Sequence, residues 1–133
     1  MTAGSGGATR LDVITIGRCS VDLYGQQIGS RLEDIASFAK SVGGCPSNIA
    51  IGTARLGLKS GLITRVGDEQ MGRYVKEQMA REGVSLDGIA TDPKRLTALV
   101  FLGIKDRDTF PLLFYRENCA DMALDAELID ESF

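Results

Sequence analysis

Two adjacent glycines and an asparagine just beyond them are the residues whose types and spacing best suit ligand binding. Gly43 and Gly44 precede a run that opens with Pro46 and contains Asn48. Glycine has no Cβ, so its backbone can approach a ligand closely. The Asn48 amide adds a carbonyl acceptor and an NH₂ donor. The pattern suits a polyhydroxylated ligand, and a tight turn leading into an ordinary helix would explain the same residues equally well.

The segments around this stretch predict an α/β core. Residues 11–17 and 60–67 are short apolar runs, as expected of buried strands, and residues 84–90 are a third strand candidate. Residues 46 to about 57 predict a helix that begins at its proline and ends near a glycine. Alternating strands and helices imply a parallel, Rossmann-type sheet covered by helices.

A second helix is expected after the strand at residues 60–67. Asp68 is a suitable N-cap residue for it. Met71, Val75 and Met79 recur every four residues and predict one apolar face. Gly83 is expected to end the helix.

Three further segments predict a smaller antiparallel sheet beside this core. Residues 21–28 mix apolar and polar side chains, and residues 36–42 are their expected antiparallel partner. Residues 97–116 predict a hairpin around the polar turn KDRDT. Because these strands are half apolar, we expect one face of this sheet to remain uncovered.

Composition limits the function classes. The chain has 133 residues, 44% of them hydrophobic, and a net charge of −3. With no basic stripe and no long apolar run, neither nucleic acid nor a membrane is an expected partner. No histidine is present, which excludes Ser-His, Cys-His and His-metal chemistry within this chain. Three scattered cysteines predict reduced thiols and a cytoplasmic location.

The ends of the chain lead to two expectations. Residues 1–10 lack the apolar core of a signal peptide and predict a flexible leader. Residues 11–133 would form only part of a domain, because three core strands and two helices leave one face of a parallel sheet poorly covered. Phe133 follows the start of a helical pattern, so truncation is expected.

Several spaced motifs together resemble one protein family. The segments GGCPSNIAIGTARLG and GLITRVGDEQMG, preceded by IGRCSVDLY, resemble the amino-terminal part of the ribokinase-like (PfkB) carbohydrate kinases. The resemblance runs from about Asp12 to the end of the chain. The segment IKDRDTFPLLFYRENCAD is similar to the kinases of keto-sugar acids. The resemblance implies a partial ribokinase-like core with a β-lid over the sugar.

The resemblance also implies a set of substrate-binding residues. An aspartate at the sugar would accept hydrogen bonds from hydroxyls, glycines would allow close approach, and an arginine would pair with a sugar-acid carboxylate. Matched to this sequence, the set is Asp22, Gly43, Gly44, Asn48, Thr97, Tyr115 and Arg116.

Structural roles remain open for several of these residues. Asp22 could be a solvated turn residue, Arg116 could form an ion pair with Glu117 or an aspartate, and Tyr115 could serve packing alone. Cys119 stands where many relatives have serine, so a hydroxyl contact there is in doubt.

The implied activity is ATP-dependent phosphorylation of a primary hydroxyl on a sugar or keto-deoxy sugar acid, with 5-dehydro-2-deoxygluconate favoured. In such kinases the catalytic aspartate and the sites for ATP and Mg²⁺ lie in later segments, so this chain alone is expected to be inactive. A homodimer through the lid is expected. The alternative is a non-catalytic sugar-binding or dimerisation module. A nucleotide-binding α/β domain is disfavoured, because no phosphate loop follows the first strand.

Overall fold

A computed structural model describes residues 10–133, so the leader predicted for residues 1–10 lies outside the described residues except for Arg10. The described chain forms seven strands and two α-helices, with short 3₁₀ turns at Leu32–Asp34 and after the last strand. In chain order these are β1 (Val13–Ile16), β2 (Ser20–Gly25), β3 (Phe38–Gly43), α1 (Cys45–Arg55), β4 (Ser60–Gly67), α2 (Gln70–Arg81), β5 (Ile89–Asp92), β6 (Ala98–Leu102) and β7 (Leu112–Tyr115).

The core sheet has the order β1-β4-β5, and all its strands are parallel. Its central strand, β4, occupies the predicted residues 60–67 and has mostly buried side chains. The α/β expectation is therefore confirmed. Helices α1 and α2 pack against β4, and the core includes Leu62 and Val66 of that strand together with Val75 and Met79 of α2.

The helices begin close to their predicted positions, with one correction. Pro46 is the second residue of α1, which starts at Cys45. The N-cap of α2 is Glu69 and not Asp68, because the Glu69 carboxylate accepts hydrogen bonds from the backbone N–H groups of Met71 and Gly72. The Asp68 side chain is exposed instead. The glycine after α2, Gly83, has a φ of +79°.

The second sheet, which we call the lid, has the strand order β3-β2-β6-β7. The β2–β3 and β6–β7 pairs are antiparallel, as predicted. The β2–β6 pair is parallel, so the lid is mixed and not purely antiparallel. One side of the lid contributes Val21 to the core, and Leu23, Val42 and Leu99 pack against it.

After β7 the expected helical pattern is realised as two 3₁₀ turns, Ala120–Ala123 and Ala126–Leu128. The first turn contacts β4 and returns the chain from the lid to the core. Among the helices of residues 10–133, none has the length and apolar character needed to cross a membrane.

Candidate functional site

Asp22 and Gly43 lie against each other on neighbouring strands of the lid. A Cβ built on Gly43 would overlap the Asp22 carboxylate, so the carboxylate occupies the space that a side chain at residue 43 would need. Asp22 Oδ1 also accepts a hydrogen bond from Ser20 Oγ at 2.9 Å. Asp22 is therefore a strand residue whose side chain is fixed by its neighbours, and it is not a solvated turn aspartate.

Gly44 makes the sharp entry into α1. Its φ of +100° lies in the region that favours glycine, and a Cβ there would overlap the Arg18 carbonyl oxygen. The Gly44 carbonyl accepts the Asn48 backbone N–H at 2.9 Å, which is the first hydrogen bond of the helix. The two glycines are thus needed for different reasons. Gly43 makes room for a carboxylate, and Gly44 allows the turn.

Asn48 is exposed on the first turn of α1 and lines a groove of about 400 Å³ between β3, α1 and α2. Ser41, which pairs with Asp22 in the lid, lines the same groove. Its far wall is Tyr74, whose hydroxyl donates to the Lys40 carbonyl at 3.1 Å. Asn48 and the strand partner of Asp22 therefore line one groove, while Asp22 itself lies against Gly43.

Arg116 is paired with a buried aspartate. Arg116 Nη2 lies 2.7 Å from Asp121 Oδ2, which also accepts the Cys19 backbone N–H at 3.3 Å. The Asp121 side chain is 0% exposed and that of Arg116 is 26% exposed. The ion pair with an aspartate, which the sequence left open, is the observed state. Arg116 is still partly accessible beside the start of β2.

Tyr115 is not on the same side of the lid as Asp22. The register places Asp22, Val100 and Phe114 in one row across the sheet, so the next residue, Tyr115, faces the opposite side. Its ring packs on Phe101 with centroids 5.4 Å apart. The structure therefore does not bring Tyr115 together with Asp22.

Thr97 has a structural position at the base of β6. It is 5% exposed. Its hydroxyl donates a hydrogen bond to the Glu69 carboxylate and accepts one from the Gly67 backbone N–H at 3.0 Å. Its own backbone N–H donates to Glu69 Oε1 at 3.0 Å. These bonds join the lid to the N-terminus of α2, so the Thr97 hydroxyl is used by the fold.

Cys119 is likewise turned toward the protein. Its thiol donates to the Tyr115 carbonyl at 3.3 Å, and burial raises its pKa. A ligand contact through this side chain would need that bond to break.

Sequence reasoning missed three residues that organise this region: Ser20, Glu69 and Asp121. Ser20 had a readable signal, because two residues before Asp22 on a strand is the same face. The bonds that Glu69 accepts from Thr97 and Asp121 accepts from Cys19 had no such signal, since these partners are distant in the chain. The partners in the first turn of α2 and at Arg116 are local in the sequence.

Comparison with known proteins places this chain in a family. The model of the pfkB family carbohydrate kinases matches residues 10–132. The chain belongs to this family. A curated relative, the 5-dehydro-2-deoxygluconokinase of Listeria monocytogenes serovar 1/2a, is 42% identical over 125 residues, which cover 93% of this chain and 38% of the relative. The resemblance read from the sequence is confirmed.

Solved structures of pfkB-type proteins show the same fold. A PfkB protein from Polaromonas sp. JS666 superposes with a TM-score of 0.86 at 36% identity, covering 92% of this chain and 41% of that one. An Escherichia coli structure in complex with ATP and Mg²⁺ gives a TM-score of 0.80 at 28% identity, covering 90% of this chain and 38% of that one. The fold is ribokinase-like, and the chain spans about two fifths of these relatives.

Proposed function

We propose that this chain supplies the sugar-binding part and lid of an ATP-dependent carbohydrate kinase that phosphorylates a primary hydroxyl. The observation that carries the proposal is the Asp22 carboxylate lying on the bare backbone of Gly43, beside the start of α1. A carboxylate only accepts hydrogen bonds, and charge-assisted bonds are the stronger ones. Asp22 is therefore suited to orient hydroxyl groups, with Asn48 as the second polar contact.

The favoured substrate is 5-dehydro-2-deoxygluconate, the sugar acid of inositol catabolism. The 42% identity to a relative with that name supports this choice. So does Arg116, whose planar guanidinium suits a carboxylate and whose side chain is partly exposed near the start of β2. Tyr115 and Thr97 are left out of the proposed site, because one faces the other side of the lid and the other is bonded within the fold.

ATP and Mg²⁺ would serve as the phosphoryl donor and its counter-charge. The ATP and Mg²⁺ complex of a structural relative supports this for the family. No residue of this chain is proposed as the catalytic base or as a nucleotide ligand. The lid would exclude water from the sugar, which favours transfer over hydrolysis of ATP. Three free thiols are in keeping with a cytoplasmic enzyme.

The substrate assignment is tested with the product of the complete open reading frame that contains this chain. That protein is given ATP, Mg²⁺ and a panel of keto-deoxy sugar acids and neutral ketoses, and ADP release is measured. We expect the highest kcat/KM with 5-dehydro-2-deoxygluconate. Higher kcat/KM for a neutral ketose would contradict the substrate. Sugar binding without ADP release from any substrate would instead favour a non-catalytic binding module.

We further propose that the protein forms a homodimer in which the second subunit covers the lid. Among residues 10–133, strand β7 has β6 on one side and no strand on the other. Its residues Leu112–Tyr115 are 46–58% exposed although all are apolar or aromatic. An exposed apolar edge of this kind favours pairing with another strand. Sedimentation equilibrium should give a dimer that Leu113→Lys dissociates. Leu128→Lys, at an exposed leucine outside the lid, is the control. A wild-type monomer at micromolar concentration would contradict the dimer.

A further inference from the structure

Asp121 is a buried carboxylate at the point where three parts of the chain meet. Its Oδ2 accepts from Arg116 Nη2 after β7 and from the Cys19 backbone N–H before β2. The next residue toward the N-terminus, Ala120, donates its backbone N–H to the Leu96 carbonyl at 2.8 Å, just before β6. The segment that carries Asp121 is thus fixed to the starts of both β2 and β6.

A carboxylate that is 0% exposed is costly to bury unless its partners are fixed. Here the bonds of one oxygen tie a guanidinium to a strand backbone, so Arg116 cannot move relative to β2 without breaking a buried charge pair. Arg116 Nε and Asp121 Oδ1 are buried, and neither has a hydrogen-bond partner within residues 10–133. The pair uses one nitrogen of the guanidinium, Nη2. Because Nε is buried, only the remaining N–H groups at the end of this 26% exposed side chain are left for a second acceptor.

The tie acts on the strand that carries Asp22. Cys19 precedes Asp22 by three residues, which is about 10 Å along an extended strand. A six-carbon chain has five carbon–carbon bonds of roughly 1.5 Å each, so it spans at most about 7 Å. A hydrogen bond of about 2.8 Å at one end covers the remaining distance. A sugar acid lying along the start of β2 could therefore place hydroxyls at Asp22 and its carboxylate toward Arg116.

We infer that Asp121 is a positioning residue for the sugar acid: it holds Arg116 at a fixed place beside β2, so that Arg116 binds the substrate carboxylate while Asp22 binds hydroxyls. This inference rests on the proposed function and adds the residue that sets its preference for acid sugars. Asp121 itself does not contact the substrate. Its effect passes through the 2.7 Å bond to Arg116.

The test compares Asp121→Asn with wild type in the complete gene product. Asparagine keeps an acceptor for the Cys19 N–H but loses the charge that holds the guanidinium. We expect the KM for 5-dehydro-2-deoxygluconate to rise about tenfold, as for loss of one charge-assisted contact. The KM for a neutral ketose and both kcat values should change less than twofold. An unchanged or lowered KM for the acid, or equal increases for both sugars, would overturn the inference.

A double-mutant cycle keeps the test decisive if Asp121→Asn weakens the fold. Arg116→Ala alone should also raise the KM for the acid about tenfold or more. In the Arg116→Ala protein, adding Asp121→Asn should change that KM no further, and it removes the unpaired buried charge. A further tenfold increase would show that Asp121 acts independently of Arg116 and would overturn the inference.

A matched control is available in the exposed pair of Arg31 and Asp34, whose side chains are 2.7 Å apart. Asp34→Asn breaks an arginine–aspartate pair of the same chemistry away from β2, and should leave the ratio of the two KM values unchanged. If wild type phosphorylates no acid sugar, the proposed function fails. If wild type phosphorylates an acid sugar but Asp121→Asn leaves the ratio of the two KM values unchanged, only this inference fails.

Discussion

Replacing Gly43 with alanine tests the contact on which the proposed site is built. The new Cβ would overlap all three atoms of the Asp22 carboxyl group. Either the carboxylate moves and gives up the 2.9 Å bond from Ser20, or the two strands separate. Overpacking of this kind costs about 1–3 kcal/mol, which corresponds to a Tm lower by roughly 4–12 °C.

Gly52→Ala is the matched control. Gly52 lies in α1, and a Cβ there would meet no other atom within 4 Å. The same chemical change should therefore leave stability unchanged or raise it by up to about 1 kcal/mol, since alanine is the better helix former. Urea unfolding of both variants and of wild type gives the comparison directly.

The cause of the loss can be isolated by removing the carboxylate. In the Gly43→Ala protein, Asp22→Ala makes room for the new methyl group, so it should recover at least about 1 kcal/mol of unfolding free energy. In the wild-type background, Asp22→Ala should not raise the free energy of unfolding. If Gly43→Ala is as stable as Gly52→Ala, or if the two losses are additive, the carboxylate does not occupy the space above residue 43 and the reasoning is refuted.

Three further outcomes are expected. Glu69→Ala should lower the unfolding free energy by about 1 kcal/mol because it removes the N-cap, whereas Asp68→Ala should change it by less than about 0.5 kcal/mol; equal effects would restore Asp68 as the cap. Burial alone would raise the pKa of Glu69, but hydrogen bonds from Thr97 and the first-turn amides outweigh it and lower that pKa. The stabilisation is therefore present above the usual glutamate pKa of 4.5 and lost as the pH falls below it, so urea unfolding should show the Glu69→Gln deficit shrinking in acid. Iodoacetamide at mildly alkaline pH, followed by mass spectrometry, should label exposed Cys45 first, because burial raises the pKa of Cys19 to about 11; early labelling of Cys19 would contradict its burial.

The elements of the core could be predicted because each has a local signal. Strand β4 occupies residues 60–67 as expected, since a short segment that is rich in apolar residues and ends in glycine is typical of a buried strand. The apolar spacing of Val75 and Met79 likewise gave the buried face of α2. Asp22 and Gly43 adjoin because β2 pairs with β3, and Gly44 leads directly into α1, so these neighbours follow from elements that adjoin in the chain. Their role at a sugar, with Asn48, stays a prediction.

What the sequence did not show depends on partners distant in the chain. Two acidic residues adjoin the start of α2. Glu69 caps the helix by accepting from the Met71 and Gly72 amides, and it also accepts the N–H of the distant Thr97, which the sequence did not indicate. Tyr115 and Arg116 are neighbours, but the face that each occupies depends on how β7 pairs with β6. The mixed lid arises for the same reason, because the direction of β6 beside β2 is set by its return from the core.

The most direct test of the sugar site is kcat/KM for the preferred sugar in the complete gene product, measured for wild type and Asp22→Ala. Loss of charge-assisted hydrogen bonds worth about 3 kcal/mol predicts a decrease of roughly a hundredfold, with the KM for ATP little changed. A kcat/KM within twofold of wild type would show that the carboxylate on Gly43 does not bind the substrate.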